Sequence, residues 1–500
     1  MELRTDRLGK ERKRVFVRYA LLLGSLALLV LSGPSASQAA SRAPAPSVET
    51  DPDLQKKELE KETKSVALRG DDERLRPESQ IQRMIGDTLF TFTGALDLDF
   101  NYQKNLNLDD SEERDRFRFT PDLRFNLIFE FPRGFYLFSE FKLEDELALR
   151  EQDKPMNFFE FQLNEFFLQT PLPLPLPSAL RIGRQQFFEP RRWFLDEKLD
   201  GIRLLIDPNP WHFRASVSTP IPEPTNDDHI RIFDDIDQSR KQIDGLIYAS
   251  VDILPLKQKS KAGFYLLVRE DTSSRDEDPI WVGIRTFGRP RFKFNLSDNE
   301  LIKDFLKPRI KYWLDAAFVA GTVRSQTIRG YGIDLGASYI ARKLPYKPYV
   351  TIGYAYGSGD SNPKNGKDRN FRQTGFQGNS GKYGGVVNFP YYGVLLDPEL
   401  SNIHIYTAGL GFRPLPRTSV DIVYHHYTQA SRSDDLREID VNEDLNGIHK
   451  NLGNEIDVVV GFRQIRNIRV RWRNGYFFPG PAFAQRDSAF ETRLDIQIGF

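Results

Sequence analysis

Apolar and polar residues alternate along most of the chain, from about residue 87 onward. In the segment FTFTGALDLDFNYQ (90–103), one set of alternate positions is polar except at Ala95, and the other is apolar or Gly: Phe90, Phe92, Gly94, Leu96, Leu98, Phe100 and Tyr102. Successive side chains of a β-strand point to opposite faces, so this segment presents one polar and one apolar face. Aromatic residues at both ends of a leucine-rich middle are typical of a strand that crosses a bilayer. The segment RFRFTPDLRFNLIFE (116–130) repeats the pattern.

Segments of this kind, roughly 9 to 14 residues long, follow one another to the end of the chain. Some are separated by short turns: 131–134, 208–210, 414–417 and 463–467. Others are separated by longer polar stretches: 104–113, 221–240, 358–401 and 431–452. Short turns at one rim and long loops at the other are the asymmetry of outer-membrane barrels. The pattern over 87–500 therefore predicts one all-β domain, a transmembrane outer-membrane β-barrel of about 18 antiparallel strands.

Both ends of the chain have features of an exported barrel. Basic residues precede the apolar run ALLLGSLALLVL and the small-residue segment SASQAAS, which is the layout of a cleaved signal peptide. We expect residues 1–39 to be that signal peptide and residues 40–86 to be a polar periplasmic linker. The last segment, FETRLDIQIGF, has apolar alternate positions up to Phe500 and is similar to the C-terminal signal of bacterial outer-membrane barrels.

The composition narrows the classes of function. Lys plus Arg and Asp plus Glu number 70 each, and this balance argues against a nucleic-acid binder, which would carry a basic excess. The chain has no Cys, which leaves no disulfide framework and no Cys-ligated metal site. After the N-terminal segment, no apolar run is long enough for a helical membrane span.

No motif for catalysis or cofactor binding is present in the sequence. The six His residues form no HExxH, and there is no GxSxG. His425 and His426 are adjacent, but neighbouring residues of a strand face opposite ways. The glycine-rich segment 353–368 lacks the spacing of a phosphate-binding loop, so we expect an ordinary loop there. We expect no enzymatic activity, no metal and no cofactor.

The segment RNIRVRWRNG (466–475) carries the most distinctive charge pattern. Arg469, Arg471 and Arg473 alternate with apolar residues, and on a strand they would form a ladder on one face. In a soluble sheet the arginines would lie in water, whereas in a barrel they would line the lumen. Three arginines with no acid between them on the strand suggest an anion path. Five further arginines are candidates for the same path: Arg116, Arg118, Arg124, Arg181 and Arg184.

Several blocks of the sequence resemble the bacterial alginate exporter family. They are LRIGRQQFFEPRRWFLDEKLDGIRL (180–204), FRQTGFQGNSGKYGG (371–385), DPELSNIHIYTAGLGF (397–412), DIVYHHY (421–427), LGNEIDVVVGF (452–462) and RWRNGYFFPGPAFA (471–484). The resemblance covers the whole barrel, loosely in its N-terminal third. It implies an 18-stranded outer-membrane barrel that exports an acidic polysaccharide, alginate, through an arginine-rich constriction.

Only some residues of the family's constriction have counterparts in this sequence. The resemblance implies that Arg471 and Arg473 are its RxR pair and that Arg124 is a further constriction residue. At five positions where the family has basic side chains, this chain has other residues: Asp99, Asn164, Gln186, Val387 and Asp397. Two connections that help to plug the family's pore shrink here to about 145–157 and to 463–467.

These observations together predict a channel in the outer membrane of a Gram-negative cell. We expect passive passage, in the export direction, of an anionic polysaccharide such as alginate. The alternatives are an anion-preferring porin of the same fold and, from another class, a barrel enzyme or adhesin. The expected partners are outer-membrane lipid and lipopolysaccharide, the polysaccharide, the barrel-assembly machinery and periplasmic secretion proteins, with no nucleic acid and a monomeric barrel.

Overall fold

The computed structural model describes residues 81–111, 115–145, 147–150, 160–207, 211–219, 243–253, 260–271, 277–289, 309–323 and 326–500. The expected signal peptide and most of the expected linker lie outside the described residues. The end of that linker is an exception, because Ile81–Ile85 forms a strand. No helix within these ranges is long and apolar enough to cross a membrane.

The described residues form strands joined by turns, with one 3-10 turn at Pro132–Gly134. The strands in chain order are β1 (Ile81–Ile85), β2 (Thr88–Lys104), β3 (Arg116–Glu130), β4 (Tyr136–Glu144), β5 (Leu147–Arg150), β6 (Glu160–Pro171), β7 (Ser178–Phe188), β8 (Asp196–Ile206), β9 (Trp211–Thr219), β10 (Ile243–Ile253), β11 (Ser260–Asp271), β12 (Glu277–Gly288), β13 (Arg309–Val323), β14 (Gln326–Ile340), β15 (Tyr349–Gly357), β16 (Lys367–Asp368), β17 (Ser380–Gly381), β18 (Phe389–Pro390), β19 (Ile403–Leu415), β20 (Thr418–Gln429), β21 (Asn451–Phe462), β22 (Ile468–Pro479) and β23 (Ala489–Gly499).

The long strands close into a barrel. Each pairs antiparallel with the next long strand, and β23 pairs with β2 from Ala95 to Lys104, which joins the two ends of the sheet. Of the 21 strands in the main sheet, β1, β5 and β16 are short strands beside this ring, and the other 18 form it. A closed ring leaves no unpaired sheet edge in the hydrocarbon layer. The predicted fold class is confirmed.

The apolar face of the strands points outward and the opposite face points into the barrel. In β12, Ile280, Val282 and Ile284 are exposed, whereas Trp281 and Arg285 between or beside them are buried. An exposed apolar side chain at every second position is the expected outer surface of a barrel that meets lipid. The buried positions therefore mark the lumen side of the wall.

The glycine-rich segment 353–368 is only partly the loop that its sequence predicts. Strand β15 continues through Gly357, and the loop begins at Ser358. A Cβ at Gly357 would lie 2.5 Å from the carbonyl oxygen of Leu400, so this glycine allows a second segment to approach the strand closely. Glycines of this segment therefore allow close packing inside the barrel as well as turns. The sequence pattern does not distinguish these two roles.

The long connection between β15 and β19 folds into the lumen. We call residues 358–402 the inserted segment. The sequence predicts a polar loop over this range, but many of its large apolar side chains are almost completely buried: Phe371, Phe376, Tyr383, Phe389, Tyr392, Leu395, Leu396 and Leu400. They pack with inward residues of the wall in one hydrophobic cluster. The apolar content of the inserted segment is therefore core, and it fills part of the barrel.

The tip of the β7–β8 hairpin leaves the wall and also enters the lumen. Pairing of β6 with β7 ends at Phe166–Arg184, although β6 continues along β4 to Glu160. Strands β7 and β8 nevertheless stay paired with each other up to Phe188–Asp196. Gly183 and Gly201 face each other where the hairpin departs, and Gly183 has a φ of 121°, a conformation that L side chains rarely adopt.

The hairpin tip crosses to the far wall and to the inserted segment. The Arg191 guanidinium lies 2.5 Å from Asp315 of β13 and 2.5 Å from Asp334 of β14. The Trp193 indole donates a hydrogen bond of 2.7 Å to the Tyr392 hydroxyl of the inserted segment. The buried, charge-assisted pairs of Arg191 thus join the tip to the wall, and the Trp193–Tyr392 hydrogen bond joins it to the inserted segment. We call the consecutive strands β22, β23, β2 and β3, whose polar side chains face the lumen, the polar wall.

Candidate anion path

Strand β22 presents the predicted arginines to the lumen. The exposed fraction is 5% for Arg469 and 8% for Arg473, whereas Trp472 between the arginines is 46% exposed on the outer face. Apolar residues at the other alternate positions of β22 are held outward because that face meets lipid. The inward direction of the arginine ladder (Arg469, Arg471 and Arg473) therefore follows from the pattern, as predicted.

An acidic residue on the neighbouring strand lies against the arginine ladder. Asp495 of β23 pairs directly with Arg471 in the sheet register, and its carboxylate lies 3.1 Å from the Arg471 guanidinium. The same carboxylate lies 3.7 Å from Arg469. The sequence suggested three arginines without an acid between them along the strand, but Asp495 compensates two of them from the side. Their mutual repulsion is reduced accordingly.

Arg473 differs from its two neighbours in the arginine ladder. It lies directly opposite Arg493 of β23, so two guanidinium groups face each other across the strands. Arg493 binds Asp99 of β2 through its Nε atom, at 2.7 Å. Within the described ranges, the Arg473 guanidinium has neither a hydrogen-bond acceptor nor a carboxylate in ion-pair distance, although it is buried. Arg473 is thus a buried guanidinium that no carboxylate contacts directly.

Arg124 of β3 belongs to the same wall. Its guanidinium forms an ion pair with Asp97 of β2 and lies 3.5 Å from Asp122. Asp97 also accepts a hydrogen bond of 3.0 Å from Gln497, the residue opposite Arg469. Arg124 is therefore linked to the arginine ladder through two intervening side chains, and its charge is balanced by carboxylates.

The remaining candidate arginines divide into two groups. Arg118 and Arg116 extend the wall on β3, because Arg118 pairs with Asn101 and Asn101 pairs with Arg493. Arg181 lies elsewhere, on β7, where it donates to Gln169 at 2.8 Å and stacks on the Phe167 ring.

Arg184 stands where the β7–β8 hairpin leaves the wall. It donates to the Leu163 carbonyl at 3.3 Å and forms an ion pair of 3.0 Å with Asp200. The carbonyl of Leu163 belongs to the part of β6 that has lost β7 as a partner. Arg184 thus satisfies a backbone group at the branch point. The structure brings together six of the eight candidates and leaves Arg181 and Arg184 apart from them.

The inserted segment contacts the arginine ladder from the other side. Arg471 donates a hydrogen bond of 3.3 Å to the Asn388 carbonyl. Farther along the inserted segment, the Glu455 carboxylate of β21 accepts the amides of Leu395 at 2.7 Å and Leu396 at 3.0 Å. Burial raises the pKa of the Asp397 carboxyl well above its usual range, and the nearby Arg473 opposes this shift. The segment that narrows the lumen is therefore fixed beside the arginines.

At the other positions where the resemblance implies lost basic residues, the replacements have partners of their own. Asn164 accepts from Lys198 at 2.6 Å, and Gln186 donates to Asp196 at 2.9 Å. Val387 is fully buried in the inserted segment. Lys198 thus places a positive charge beside Asn164.

Sequence reasoning missed Asp495 and Arg493. Both lie on the polar alternate positions of FETRLDIQIGF, together with Glu491 and Gln497. The alternation thus marked them as lumen residues, but it does not give the register between strands. Register alone decides that Asp495 meets Arg471 and that Arg493 meets Arg473.

Among the described residues, no group of three or more His, Asp and Glu side chains could hold a metal ion. His425 points inward, where its Nδ1 lies 3.0 Å from the Thr407 hydroxyl. His426 points to the other face, where its Nδ1 lies 2.8 Å from Asn454. The expected opposite orientation of the two residues is confirmed.

Comparisons with known proteins identify the family and the fold of this chain. A model of the family described as alginate export matches residues 90–496. The alginate production protein AlgE of Pseudomonas aeruginosa is 26% identical over 185 residues, which cover 34% of this chain and 36% of that protein. AlgE of Azotobacter vinelandii is 23% identical over 169 residues, or 29% of this chain and 35% of that protein. The aligned part thus spans about a third of the length of these relatives.

Solved outer-membrane proteins share the fold. The outer membrane protein OpdK of Pseudomonas aeruginosa superposes with a TM-score of 0.53 at 11% identity, covering 82% of this chain and 98% of OpdK. OccK5 (OpdH) of the same organism gives a TM-score of 0.52 at 10% identity, with the same coverage of 82% and 98%. Since the family model spans nearly the whole barrel, this chain belongs to the alginate export family and is an outer-membrane β-barrel.

Proposed function

We propose that this protein is a channel through which an anionic polysaccharide such as alginate leaves the cell by passive passage. The observation that carries the proposal is the inward arginine ladder of β22, which lies between the polar wall and the inserted segment. A row of guanidinium groups on the lumen side of the wall attracts carboxylates, and a channel needs no further chemistry to let them pass. Membership of the alginate export family supports the polysaccharide as the solute.

Passage requires that each arginine binds the polymer weakly enough to release it. Along a strand, alternate residues are about 7 Å apart, a distance below the Debye length at physiological salt. The arginine ladder therefore acts as one positive strip. Asp495 competes with the polymer for Arg469 and Arg471. This competition lowers the affinity at each step and lets the next arginine take over the carboxylate.

The compensation of Arg469 and Arg471 by Asp495 also favours a second candidate function, an anion-preferring porin for small solutes. In that case the arginine ladder would set a mild selectivity for small anions, and no polymer would pass.

We further propose that the protein works as a monomeric barrel, that it is inserted by the barrel-assembly machinery and that periplasmic secretion proteins deliver the polymer. Lipopolysaccharide would surround its outer half, and no catalytic step is needed.

A secretion assay separates the two candidates. In a strain that makes an anionic polysaccharide but lacks its own exporter, expression of this protein should move uronate-containing polymer from the periplasm into the medium. Polymer that stays in the periplasm, while the purified barrel still conducts small ions, would reject export and favour the porin.

A further inference from the structure

We propose that the barrel rectifies ionic current: it conducts better when anions enter from the rim of short turns than when they enter from the rim of long loops. Rectification itself rests on the charges at the two ends of the barrel. Only its meaning for the direction of polysaccharide passage rests on the proposed function.

The rim of short turns is basic. The described short turns between barrel strands, at 131–135, 172–177, 341–348, 416–417 and 463–467, contain seven Lys and Arg and no Asp or Glu. The seven are Arg133, Arg342, Lys343, Lys347, Arg417, Arg463 and Arg466. Asp87 and Asp207 lie near the same rim, and these two acids leave the excess of charge positive.

The positive charge of this end continues into the lumen. Arg413, near the end of β19, donates a hydrogen bond of 3.0 Å to the Gly384 carbonyl of the inserted segment. Arg463 donates one of 3.3 Å to the Val386 carbonyl. A carbonyl accepts these bonds without neutralising the charge. The arginine ladder begins at Arg469, the second residue of β22 after the turn 463–467, so it extends the basic end into the path.

The long loops at the other end of the polar wall are acidic. We call residues 105–111, 430–450 and 480–488 the loop cap; they follow β2, β20 and β22. The loop cap contains nine Asp and Glu but only four Lys and Arg. Arg116 and Arg118 lie at this end of β3 as well, and the charge of the mouth remains negative when they are included.

The loop cap is folded. Leu108, Leu445 and Phe483 of its three loops are almost completely buried, and Leu445 forms a β-bridge with Phe483. The Asn442 amide donates a hydrogen bond of 2.7 Å to the Leu106 carbonyl, which links two of the loops. The acids of the loop cap are therefore held on one fixed surface.

This surface lies against the segment that fills the lumen. The Asp440 amide donates a hydrogen bond of 3.3 Å to the Leu396 carbonyl of the inserted segment. The Arg437 guanidinium forms an ion pair of 3.0 Å with Glu399 of the same segment. The negative charge of the loop cap is therefore placed at the mouth of the path between the polar wall and the inserted segment.

Opposite fixed charges at the two ends of a narrow aqueous path make its conductance depend on the sign of the voltage. Anions collect at the basic end and cations at the acidic end. A voltage that is positive on the long-loop side drives both kinds of ion toward the middle, which fills the path with carriers. The opposite voltage draws both kinds out. Anions also enter more readily from the short turns, which face the periplasm in bacterial barrels.

The current–voltage curve of single barrels in planar bilayers tests the proposal. In about 0.01 M salt the Debye length is about 30 Å, similar to the hydrophobic height of about 25 Å, so the current should be larger when the long-loop side is positive. In about 1 M salt the Debye length is about 3 Å, and the two currents should become equal. Because the chain has no Cys, Ala484→Cys gives one thiol in the loop cap. The chamber from which a bulky thiol reagent changes the current then shows the orientation of the barrel.

Two pairs of substitutions at exposed positions separate rectification from net charge. Asp434→Asn plus Asp435→Asn removes two acids of the loop cap and should shift selectivity toward anions. Arg417→Gln plus Arg466→Gln removes two bases of the short turns and should shift selectivity away from anions. The ratio of the currents at opposite voltages should nevertheless fall toward one in both, because each pair weakens one end of the charge difference. Asp434→Glu plus Asp435→Glu is the matched control and should keep the wild-type ratio.

Equal currents in dilute salt, a larger current at the opposite voltage, or a ratio that neither pair of substitutions changes would overturn the proposal. The salt dependence of the wild type needs no variant, so the test does not depend on the assembly of the variants. Secretion of polymer by a barrel with equal currents would overturn rectification and leave export in place. A rectifying barrel that secretes no polymer would reject export and support rectification.

Discussion

Asp495 lies across the sheet from Arg471, and its carboxylate is 3.1 Å from that guanidinium and 3.7 Å from Arg469. This one acid therefore lowers the positive potential of two thirds of the arginine ladder. A strip that looks strongly basic in the sequence of β22 is only moderately basic in the barrel. The channel should prefer anions mildly rather than exclude cations.

Removal of this acid should make the channel more anion-selective. In Asp495→Asn, the guanidinium groups of Arg469 and Arg471 lose their compensating charge and keep their positions on the strand. The reversal potential in a salt gradient should shift toward that of chloride. Asp207→Asn, at an acid that pairs with His212 and Arg214 away from the arginine ladder, is the control and should leave it unchanged. A wild-type reversal potential in Asp495→Asn would mean that ions do not pass the arginine ladder.

The assignment of the two faces of β2 can be tested by a charge placed on either face. Leu96→Arg puts a guanidinium against lipid and should cost roughly 2–4 kcal/mol if the site is near the bilayer midplane. Thr93→Arg puts the same group on the lumen side, next to Asn126, and should cost much less. Urea unfolding of barrels folded in bilayers measures both. Equal losses of stability in the two variants would show that the faces are assigned wrongly.

Glu455 should help to hold the inserted segment where it narrows the pore. In Glu455→Ala, the amides of Leu395 and Leu396 lose their acceptor, and a hydrogen bond of this kind contributes about 0.5–1.5 kcal/mol. We expect a larger single-channel conductance with more frequent fluctuations. Glu443→Ala, at a loop position where the carboxylate accepts the Gln485 amide, is the comparison. Conductance traces that match those of the wild type would mean that the segment is held by its other contacts alone.

Anion selectivity should depend on pH through Asp397. Burial and the nearby Asp440, Glu455 and Glu491 raise the pKa of Asp397, while Arg473 lowers it. A raised pKa means that the folded protein binds this proton more tightly, so acidification adds stability and neutralises the carboxylate. Anion selectivity should therefore be higher at about pH 5 than at about pH 8, and Asp397→Asn should weaken that difference. A pH dependence that is identical in Asp397→Asn would exclude Asp397 as the group responsible.

The sequence was sufficient for the barrel and for the direction of its side chains. Alternation in β22 separates Trp472 from Arg471 and Arg473 because each strand meets lipid on one face and water on the other. Alternation carries no information on which residue lies opposite on the next strand, so the Arg471–Asp495 pair could not be derived from it. Asp495 and Arg493, which modify the charge of the path, lie on β23, where the sequence analysis used only the apolar positions.

The contents of the lumen were the other part that the pattern did not predict. A long connection with many glycines and asparagines reads as a loop, although the burial of Phe371 and Tyr383 makes part of it a core. The dense aromatic residues of the inserted segment were an available signal, because exposed loops seldom carry so many. The departure of the β7–β8 hairpin depends on Gly183 and Gly201 facing each other, which again requires the register.

The most direct test of the account is the reversal potential of the double variant Arg471→Glu plus Arg473→Glu in a salt gradient. The wild-type barrel should be mildly anion-selective, because Arg473 is uncompensated and Asp495 balances the rest of the arginine ladder. The double variant should lose this preference or become cation-selective, since two positive groups in the path are replaced by negative ones. A reversal potential equal to that of the wild type would contradict the account, because the arginine ladder would then be part of the wall without influence on the solute.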